Sequence, residues 1–221
     1  MAYQIPLDIK LNATATFDNF VPSKNEQLID LMQNDELFVY LWAAESVGKS
    51  HLLQALCQKH TNAIYLPLND ISQWQPEILV GLESFALICL DDVENIAGQV
   101  DWEQALFNLF NRVRDNHKKL RISGNASATQ LAIELKDLQS RLTWGVSMQV
   151  QALNDSDKVI ALSKRAEQKG FNLSDEVSHF LLKNCPRDMK SLFAILEELD
   201  DASLQAQRRI TIPFIKTQLG I

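Results

Sequence analysis

The sequence predicts an α/β fold with a parallel sheet, followed by a small helical domain. Up to about Leu153, short apolar segments alternate with helical patterns. This alternation is typical of a parallel sheet with helices on both faces. One apolar segment runs directly into Gly48-Lys49-Ser50, where a helical pattern begins. After Leu153 the strand patterns stop and only helical spacing continues.

Five segments are predicted to form the strands of this sheet. The third is a continuous apolar run, as expected of a central parallel strand that is buried on both faces. The fifth alternates apolar and polar residues, which indicates an edge strand with one face in water. The predicted strands are Leu37–Trp42, Ala63–Leu68, Phe85–Leu90, Leu120–Ser123 and Val146–Ala152.

Helical spacing predicts one helix before the first strand and four after the last. The first runs from Ser23, its expected N-cap, to Gln33. The later helices are Asp155–Lys169, a helix capped by Ser174 that ends before Pro186, Arg187–Gln207, and a short helix from about Pro213. We therefore expect an extended tail (1–15), an α/β domain (16–153) and a helical domain (154–221).

The composition is that of a folded, acidic protein. The chain has 221 residues, 46% of them hydrophobic, and a formal net charge of −7. Basic residues occur in short doublets only, so we expect no direct sequence-specific DNA binding, which requires a clustered basic surface. Cys57, Cys89 and Cys185 have no metal-ligand spacing and are expected to be free thiols. Without a leader or membrane-length apolar run, we expect a cytoplasmic protein that does not contact a membrane.

The first residues have the pattern of an extended segment. Between Gln4 and Leu11 the apolar side chains fall on odd positions, and Pro6 disfavours a helix. Such a segment is either an edge strand of its own domain or a peptide that inserts apolar side chains into a groove on a partner. The pattern alone leaves both interpretations open.

The segment around Gly48 has the context of a phosphate-binding loop. Backbone N–H groups of the loop and the helix N-terminus would face a diphosphate, Lys49 would reach the terminal phosphates, and Ser50 would hold Mg²⁺. Ala43 replaces the usual first glycine, and Glu45 repels a triphosphate more than a diphosphate. We expect ADP or another nucleoside diphosphate, with ATP as the alternative. An ordinary strand-to-helix turn is the simpler interpretation.

The third predicted strand delivers two carboxylates at its end. Ligands of open parallel sheets bind at the carboxyl ends of strands. Asp91 is therefore expected to hold the Mg²⁺ that Ser50 holds from the other side. Asp92 is a weaker candidate, as the residue that orients a water for attack on the γ-phosphate. A solvated turn is the alternative for this acidic pair.

These residues and their order resemble the AAA+ family. Asn125, after the fourth strand, matches the sensor I position, Arg141 in Ser140-Arg-Leu-Thr-Trp-Gly145 matches the arginine-finger segment, and Arg187 matches the sensor II arginine. Phe17-Asp-Asn-Phe20 matches the box near the nucleotide base. The resemblance implies nucleotide contacts from Phe20, Val21, Ser46, Val47, Gly48, Lys49, Ser50, His51, Asn125 and Arg187, although His51 at such a position is more often structural.

Within the AAA+ family, the sequence is similar to the bacterial initiator DnaA and to its short regulatory homologues. The similarity includes Leu41-Trp42 before the loop and Arg208-x-x-Thr-Ile-Pro-Phe near the C-terminus. We expect no helix-turn-helix DNA-reading domain. The tail resembles a sliding-clamp-binding motif, with Gln4, Leu7 and Ile9 as its anchors, which favours the peptide interpretation.

The resemblance implies a regulator of chromosome replication. Its implied partners are DnaA and the sliding clamp, the beta subunit of DNA polymerase III, and AAA+ modules also self-associate. Arg141 is the candidate arginine finger, supplied in trans to DnaA-bound ATP. A surface arginine paired with an acid is the alternative for Arg141, and an arginine packed at the domain junction is the alternative for Arg187.

Three functions remain open from the sequence. The first is an adaptor that keeps its nucleotide and acts through partners, and that is not an efficient enzyme alone. The second is a P-loop ATPase that hydrolyses its own nucleotide, such as a helicase loader. The third is an inactive nucleotide-binding scaffold.

Overall fold

The computed structural model describes Leu11, residues 14–69 and residues 71–221. The clamp-motif residues Gln4, Leu7 and Ile9 lie outside these described residues. The described strands are β1 Phe38–Trp42, β2 Ala63–Pro67, β3 Leu87–Asp91, β4 Lys119–Gly124 and β5 Val146–Gln149. The described α-helices are α1 Glu26–Gln33, α2 Lys49–Lys59, α3 Val100–Asp115, α4 Lys136–Leu142, α5 Asp155–Gln168, α6 Asp175–Asn184, α7 Met189–Ala206 and α8 Ile212–Leu219.

The five strands form one parallel sheet in the order β2-β3-β4-β1-β5. This confirms the predicted fold class. Strand β3 is buried along its whole length, as its apolar run predicted. Strand β5 lies at an edge and alternates half-buried and exposed residues, but it ends at Gln149, before the predicted Ala152.

Helices cover both faces of the sheet. Successive side chains of a strand point to opposite faces. Phe38 and Tyr40 of β1 belong to one core cluster together with Leu106 of α3 and Leu138 of α4. Helix α2 packs on β2, β3 and β4 without contributing to that cluster, so it covers the opposite face.

Strand β4 carries a fully buried arginine in the middle of its apolar pattern. Arg121 is 0% exposed, and its guanidinium donates to the carbonyls of Glu36 at 2.8 Å and Asn34 at 3.2 Å. Burial lowers the pKa of this side chain. Arg121 thereby fastens the chain that leaves α1 to the sheet.

The prediction that Ser23 caps the first helix is wrong. Helix α1 begins at Glu26, after Asn25. Ser23 has a left-handed backbone with φ 49°, and its hydroxyl donates to the carboxylate of Asp157 at 2.5 Å. The side chain of Asn25 exchanges two hydrogen bonds with the backbone of Gln151, at 3.0 and 2.7 Å. Contacts distant in sequence therefore determine where this helix starts.

The chain divides into two compact units. The first comprises the residues up to Phe17 and Asn25–Gln151, and the second comprises Asp18–Lys24 and Ala152–Ile221. The second unit contains α5 to α8, which enclose an apolar core. Ser174 caps α6 through its side chain, as predicted. None of the described helices is long and apolar enough to cross a membrane.

Candidate nucleotide-binding site and the arginine edge

The loop between β1 and α2 has the geometry of an anion-binding turn. Gly48 precedes α2 with φ 99°, a left-handed conformation that favours glycine. In the described structure no side chain caps this helix end. The first N–H groups of a helix have no partner within the helix and, with the helix dipole, attract an anion. The loop can therefore take a phosphate group at Gly48.

The side chain of Lys49 forms hydrogen bonds with the backbone of this loop. This side chain is buried, with 6% exposure, and Nζ donates to the carbonyls of Ala43 at 2.9 Å and Ala44 at 3.1 Å. The ammonium group is thus held at the carboxyl end of β1, next to the turn at Gly48. A buried cation at this place favours an anionic ligand.

Asp91 is buried at the end of β3, and both of its carboxylate oxygens accept hydrogen bonds. Its exposure is 1%. The Ser123 hydroxyl of β4 donates to one oxygen, and the Tyr65 hydroxyl of β2 donates to the other at 2.7 Å. Burial, followed by the charge of Asp91, raises the pKa of Tyr65, so this phenol remains a donor. Three neighbouring strands therefore fix one carboxylate.

Asp92 is half-buried and has an unusual backbone. Its φ is 59°, and its N–H donates to the Ser123 hydroxyl at 3.0 Å. Burial, followed by the charges of Asp91 and Glu94, raises the pKa of Asp92 to about 6, although the charge of Lys49 opposes the rise. The acidic end of β3 and the loop lysine therefore interact electrostatically.

The residues present fit a Mg²⁺ ion shared with phosphate oxygens. Ser50 lies on the first turn of α2 and is half-buried. A carboxylate offers about four lone-pair sites, so Asp91 can still accept bonds from metal-bound water. Among the described residues, no group of three or more His, Cys, Asp or Glu side chains could hold a metal. Mg²⁺ keeps several waters and takes few protein ligands, so one hydroxyl and one carboxylate can suffice.

Two other predicted contacts lie in the first unit. Asn125 follows β4, which pairs with β1, and its side chain is exposed. His51 lies on the first turn of α2, and its Nε2 is 2.8 Å from the Thr16 carbonyl. This contact ties the segment before α1 to α2, which is a structural use of the imidazole.

The remaining predicted contacts belong to the second unit. Phe20 and Val21 are buried there. Arg187 is exposed and forms an ion pair with Asp155. The prediction that Arg187 opens the long helix is wrong, because α7 begins at Met189 and Asp188 is its cap. An arginine just outside the cap avoids the positive end of the helix dipole.

Arg141 lies at the last turn of α4 and rests on aromatic rings. Its guanidinium carbon is 5.1 Å from the ring centroid of Trp144 and 6.0 Å from that of Phe107. Within the described part of the chain, it forms no ion pair with a carboxylate. The ring of Trp144 stacks in turn on Phe38, with centroids 5.5 Å apart.

Arg141 therefore lies near the amino end of β1, whereas the loop of its own chain follows the carboxyl end of that strand. Phe38 is the first residue of β1, and the loop follows Trp42, the last. The five residues of β1 place its two ends about 13 Å apart. Arg141 therefore packs near the first residue of β1, whereas Lys49 follows its last residue.

Sequence reasoning missed two buried residues that shape these regions. Tyr65 is part of an apolar strand pattern, and nothing in the sequence links it to Asp91. Glu103 is 1% exposed, and it accepts bonds from the N–H groups of Gly98 at 2.7 Å and Leu135 at 2.7 Å. Glu103 thus anchors the start of α4. An acid among the apolar residues of α3 is the only signal the sequence contains for it.

Comparisons with known proteins give two matching family models and several structures of the same fold. Residues 155–219 match the family model of the Hda lid domain, and residues 75–149 match that of the bacterial DnaA ATPase domain. The chain has the AAA+ fold, and its sequence matches models of two DnaA-related domains, each over less than half of its length. The chain is similar in fold to domain III of DnaA from Thermotoga maritima, with a TM-score of 0.82, 19% identity, and coverage of 96% of this chain and 98% of that chain.

Two further structures share the fold of this chain. AMPPCP-bound DnaA from Aquifex aeolicus matches with a TM-score of 0.69 and 19% identity, over 86% of this chain and 66% of that chain. The Holliday junction branch migration motor RuvB from Thermotoga maritima matches with a TM-score of 0.71 and 13% identity, over 93% of this chain and 71% of that chain. These likenesses confirm the AAA+ fold.

Proposed function

We propose that this DnaA-related protein is a cytoplasmic negative regulator of replication initiation that acts on DnaA. It holds a nucleotide at Gly48, Lys49 and Ser50, docks on the DNA-loaded sliding clamp through its N-terminal tail, and offers Arg141 to the ATP bound by DnaA. The match to the Hda lid domain supports this placement among the regulators of DnaA.

The position of Arg141 carries this proposal. The guanidinium forms no ion pair with a carboxylate among the described residues. It lies near the amino end of β1, whereas the loop of its own chain follows the carboxyl end. An arginine so placed is poorly located to act on the nucleotide of its own chain. It is well placed to enter a nucleotide site on another molecule.

The chemistry expected of Arg141 is electrostatic. Charge spreads over the equatorial oxygens of the γ-phosphoryl group as the bond to the β-phosphate breaks, and water attacks in line. A guanidinium offers five N–H donors in a fixed plane, so it can bond two of these oxygens at once. The arginine is unchanged after the reaction, and DnaA retains ADP.

A nucleotide in the protein's own site would have a structural role. DnaA from Aquifex aeolicus binds AMPPCP, and this chain, which shares its fold, presents Gly48 and a buried Lys49 at the start of α2. We propose ADP with Mg²⁺ as the resident ligand, bound at Ser50 and through water at Asp91. Phe20 and Val21 near the base and Arg187 near the phosphates are the proposed contacts from the second unit.

The decisive experiment measures ATP turnover in defined mixtures. This protein alone, DnaA alone, their mixture, and the mixture with clamp loaded on DNA are compared. We expect stimulated turnover in the complete mixture only. The change Arg141→Ala should reduce that stimulation by at least about 1,000-fold, the lower range for an arginine finger.

A matched arginine serves as the control for that experiment. Arg114 lies in the last turn of α3 and pairs with the neighbouring Asp115 at 2.9 Å, so Arg114→Ala should leave stimulation unchanged. The change Gln4→Ala should abolish the dependence on clamp. Full stimulation by Arg141→Ala would refute the arginine-finger role, and clamp-dependent stimulation by Gln4→Ala would refute the docking role.

The second candidate is hydrolysis by the protein itself. Asp92 favours it, because a carboxylate with a pKa of about 6 lies in the same field as Lys49. Turnover by the protein alone, lost in Asp92→Asn, would support this candidate. Turnover by the protein alone would also count against the adaptor.

A further inference from the structure

We propose that Trp144 is a positioning residue that holds the Arg141 guanidinium in the orientation needed to reach a partner's nucleotide. This inference rests on the proposed function, since it concerns how Arg141 acts. The observation behind this inference is the contact between the two side chains: the guanidinium carbon of Arg141 is 5.1 Å from the ring centroid of Trp144.

The indole is itself fixed from below. Trp144 stacks on Phe38 with ring centroids 5.5 Å apart, and Phe38 stacks on Phe110 at 5.3 Å. Phe38 of β1 and Phe110 of α3 both belong to the buried core cluster, so the stack is packed against the core. The ring that carries Arg141 therefore cannot swing freely.

The backbone of the same turn restricts Trp144 further. The N–H of Trp144 donates to the Arg141 carbonyl at 2.9 Å. At Gly145 the backbone has φ 138°, and a Cβ there would lie 2.5 Å from the Phe38 carbonyl oxygen. Only glycine allows this close approach, so the turn presses Trp144 against Phe38.

The exposure of Trp144 points to a function other than core packing. Its side chain remains 48% exposed, although Phe38 and Phe110 beneath it are buried. A tryptophan face attracts a guanidinium more strongly than other rings do. Holding the side chain before the partner arrives also lowers the entropy lost when the guanidinium bonds phosphate oxygens.

The test compares two substitutions at one position. Trp144→Leu removes the ring, whereas Trp144→Phe keeps a smaller ring at the same place. In protein labelled with ¹⁵N-arginine, we expect the ring current of the indole to shift the Arg141 Nε–H proton upfield, since the guanidinium carbon is 5.1 Å from the ring centroid. The signal is assigned by its loss in Arg141→Lys. Trp144→Leu should abolish that upfield shift, and Trp144→Phe should keep most of it.

The second measurement is stimulation of DnaA turnover. Trp144→Leu should lower the stimulated rate at saturation by about tenfold, while the half-saturating concentration changes by less than about twofold, because orientation rather than docking is lost. Trp144→Phe should recover most of the rate. The control is Phe193→Leu, which removes a ring 5.7 Å from the guanidinium carbon of Arg165 in the second unit and should leave the rate unchanged.

The outcomes separate this inference from the proposed function. If wild-type protein does not stimulate DnaA, the proposed function falls, and the upfield shift alone decides whether Trp144 holds Arg141. If Trp144→Leu loses the shift but stimulates at the wild-type rate, Trp144 has no positioning role. A wild-type spectrum without the upfield shift would overturn the inference directly.

Discussion

The Tyr65 hydroxyl donates a hydrogen bond of 2.7 Å to the buried carboxylate of Asp91. Tyr65 lies on the edge strand β2, and Asp91 ends the neighbouring strand β3. Since Ser123 of β4 donates to the other oxygen, the carboxylate is held between two hydroxyl groups. The position of this acid is therefore set by hydroxyl groups of the two neighbouring strands.

Removing the Tyr65 hydroxyl should destabilise the first unit. In Tyr65→Phe one oxygen of a buried carboxylate loses its donor, and a hydrogen bond to a charged group is worth about 1.5–3 kcal/mol. We expect the free energy of unfolding, measured in urea without nucleotide, to fall by about 2 kcal/mol.

Tyr40→Phe provides the matched control. The Tyr40 hydroxyl donates to the Ala126 carbonyl at 2.6 Å, which is a neutral acceptor, so the loss should be nearer 1 kcal/mol, as is typical of a neutral hydrogen bond. Equal losses in the two variants would show that the hydrogen bond from Tyr65 to Asp91 contributes no more than one to a neutral acceptor.

The strands could be predicted because burial on both faces leaves a direct record in the sequence. Every residue of β3 is buried, and an apolar run is the only pattern that suits such a strand. The turn before α2 was predictable for a similar reason, since Gly48, Lys49 and Ser50 are adjacent in the chain. Features formed by residues that are adjacent in the chain can therefore be predicted from the sequence.

The rest depends on contacts between distant residues. Arg121 would be expected to disrupt an apolar strand, yet it is buried on backbone carbonyls near the end of α1. Ser23 has the residue type of a cap, but its hydroxyl bonds Asp157, 134 residues away in sequence. Such partners are chosen by the folded structure, and no spacing rule within the chain identifies them.

Asp92 should make the stability of the first unit depend on pH. Burial, with Asp91 and Glu94, raises its pKa from 3.8 to about 6. Between these values the folded state binds more protons than the unfolded state, so the contribution of Asp92 to stability is lost as pH rises through about 6. Without nucleotide and in EDTA, Asp92→Asn should be more stable than wild type at pH 8 by about 1 kcal/mol, a value reduced for solvent screening.

Asparagine also tolerates the left-handed backbone at this position, so the substitution changes the charge with little strain. The gain should shrink towards pH 4, where Asp92 is protonated in the wild type. Asp35→Asn is the opposite control, because the hydrogen bond and charge of Lys119 lower the pKa of Asp35. That variant should be less stable than wild type at neutral pH, with the loss disappearing in acid. A gain for Asp92→Asn that does not vary with pH would contradict the electrostatic explanation.

Lys49 should determine whether a nucleotide binds at all. In Lys49→Ala the buried cation next to Gly48 is lost, and removing one partner of a buried charge pair costs about 2–5 kcal/mol. We expect at least about tenfold weaker binding of ADP by calorimetry. Lys59→Ala, at the exposed end of the same helix, should bind ADP as the wild type does, and weakened binding in both variants would indicate a general effect on α2.

Glu45 should bias the site toward a diphosphate. It is exposed on the loop, and after burial and the nearer acids its charge also raises the pKa of Asp92, so it acts on the same site. The additional γ-phosphate of ATP brings more negative charge near the Glu45 carboxylate. In Glu45→Gln the affinity for ATP should rise about threefold more than the affinity for ADP, as expected of one charge acting through water.

The control for this comparison is another exposed acid of the same unit. Glu77 lies on the short turn Pro76–Leu79, away from the loop, and Glu77→Gln should leave the ratio of the two affinities unchanged. Raising the salt concentration should reduce the effect of Glu45→Gln, since the repulsion passes through solvent. If the affinities for ATP and ADP rose equally, Glu45 would repel the phosphates that both nucleotides share and would have no part in choosing between them.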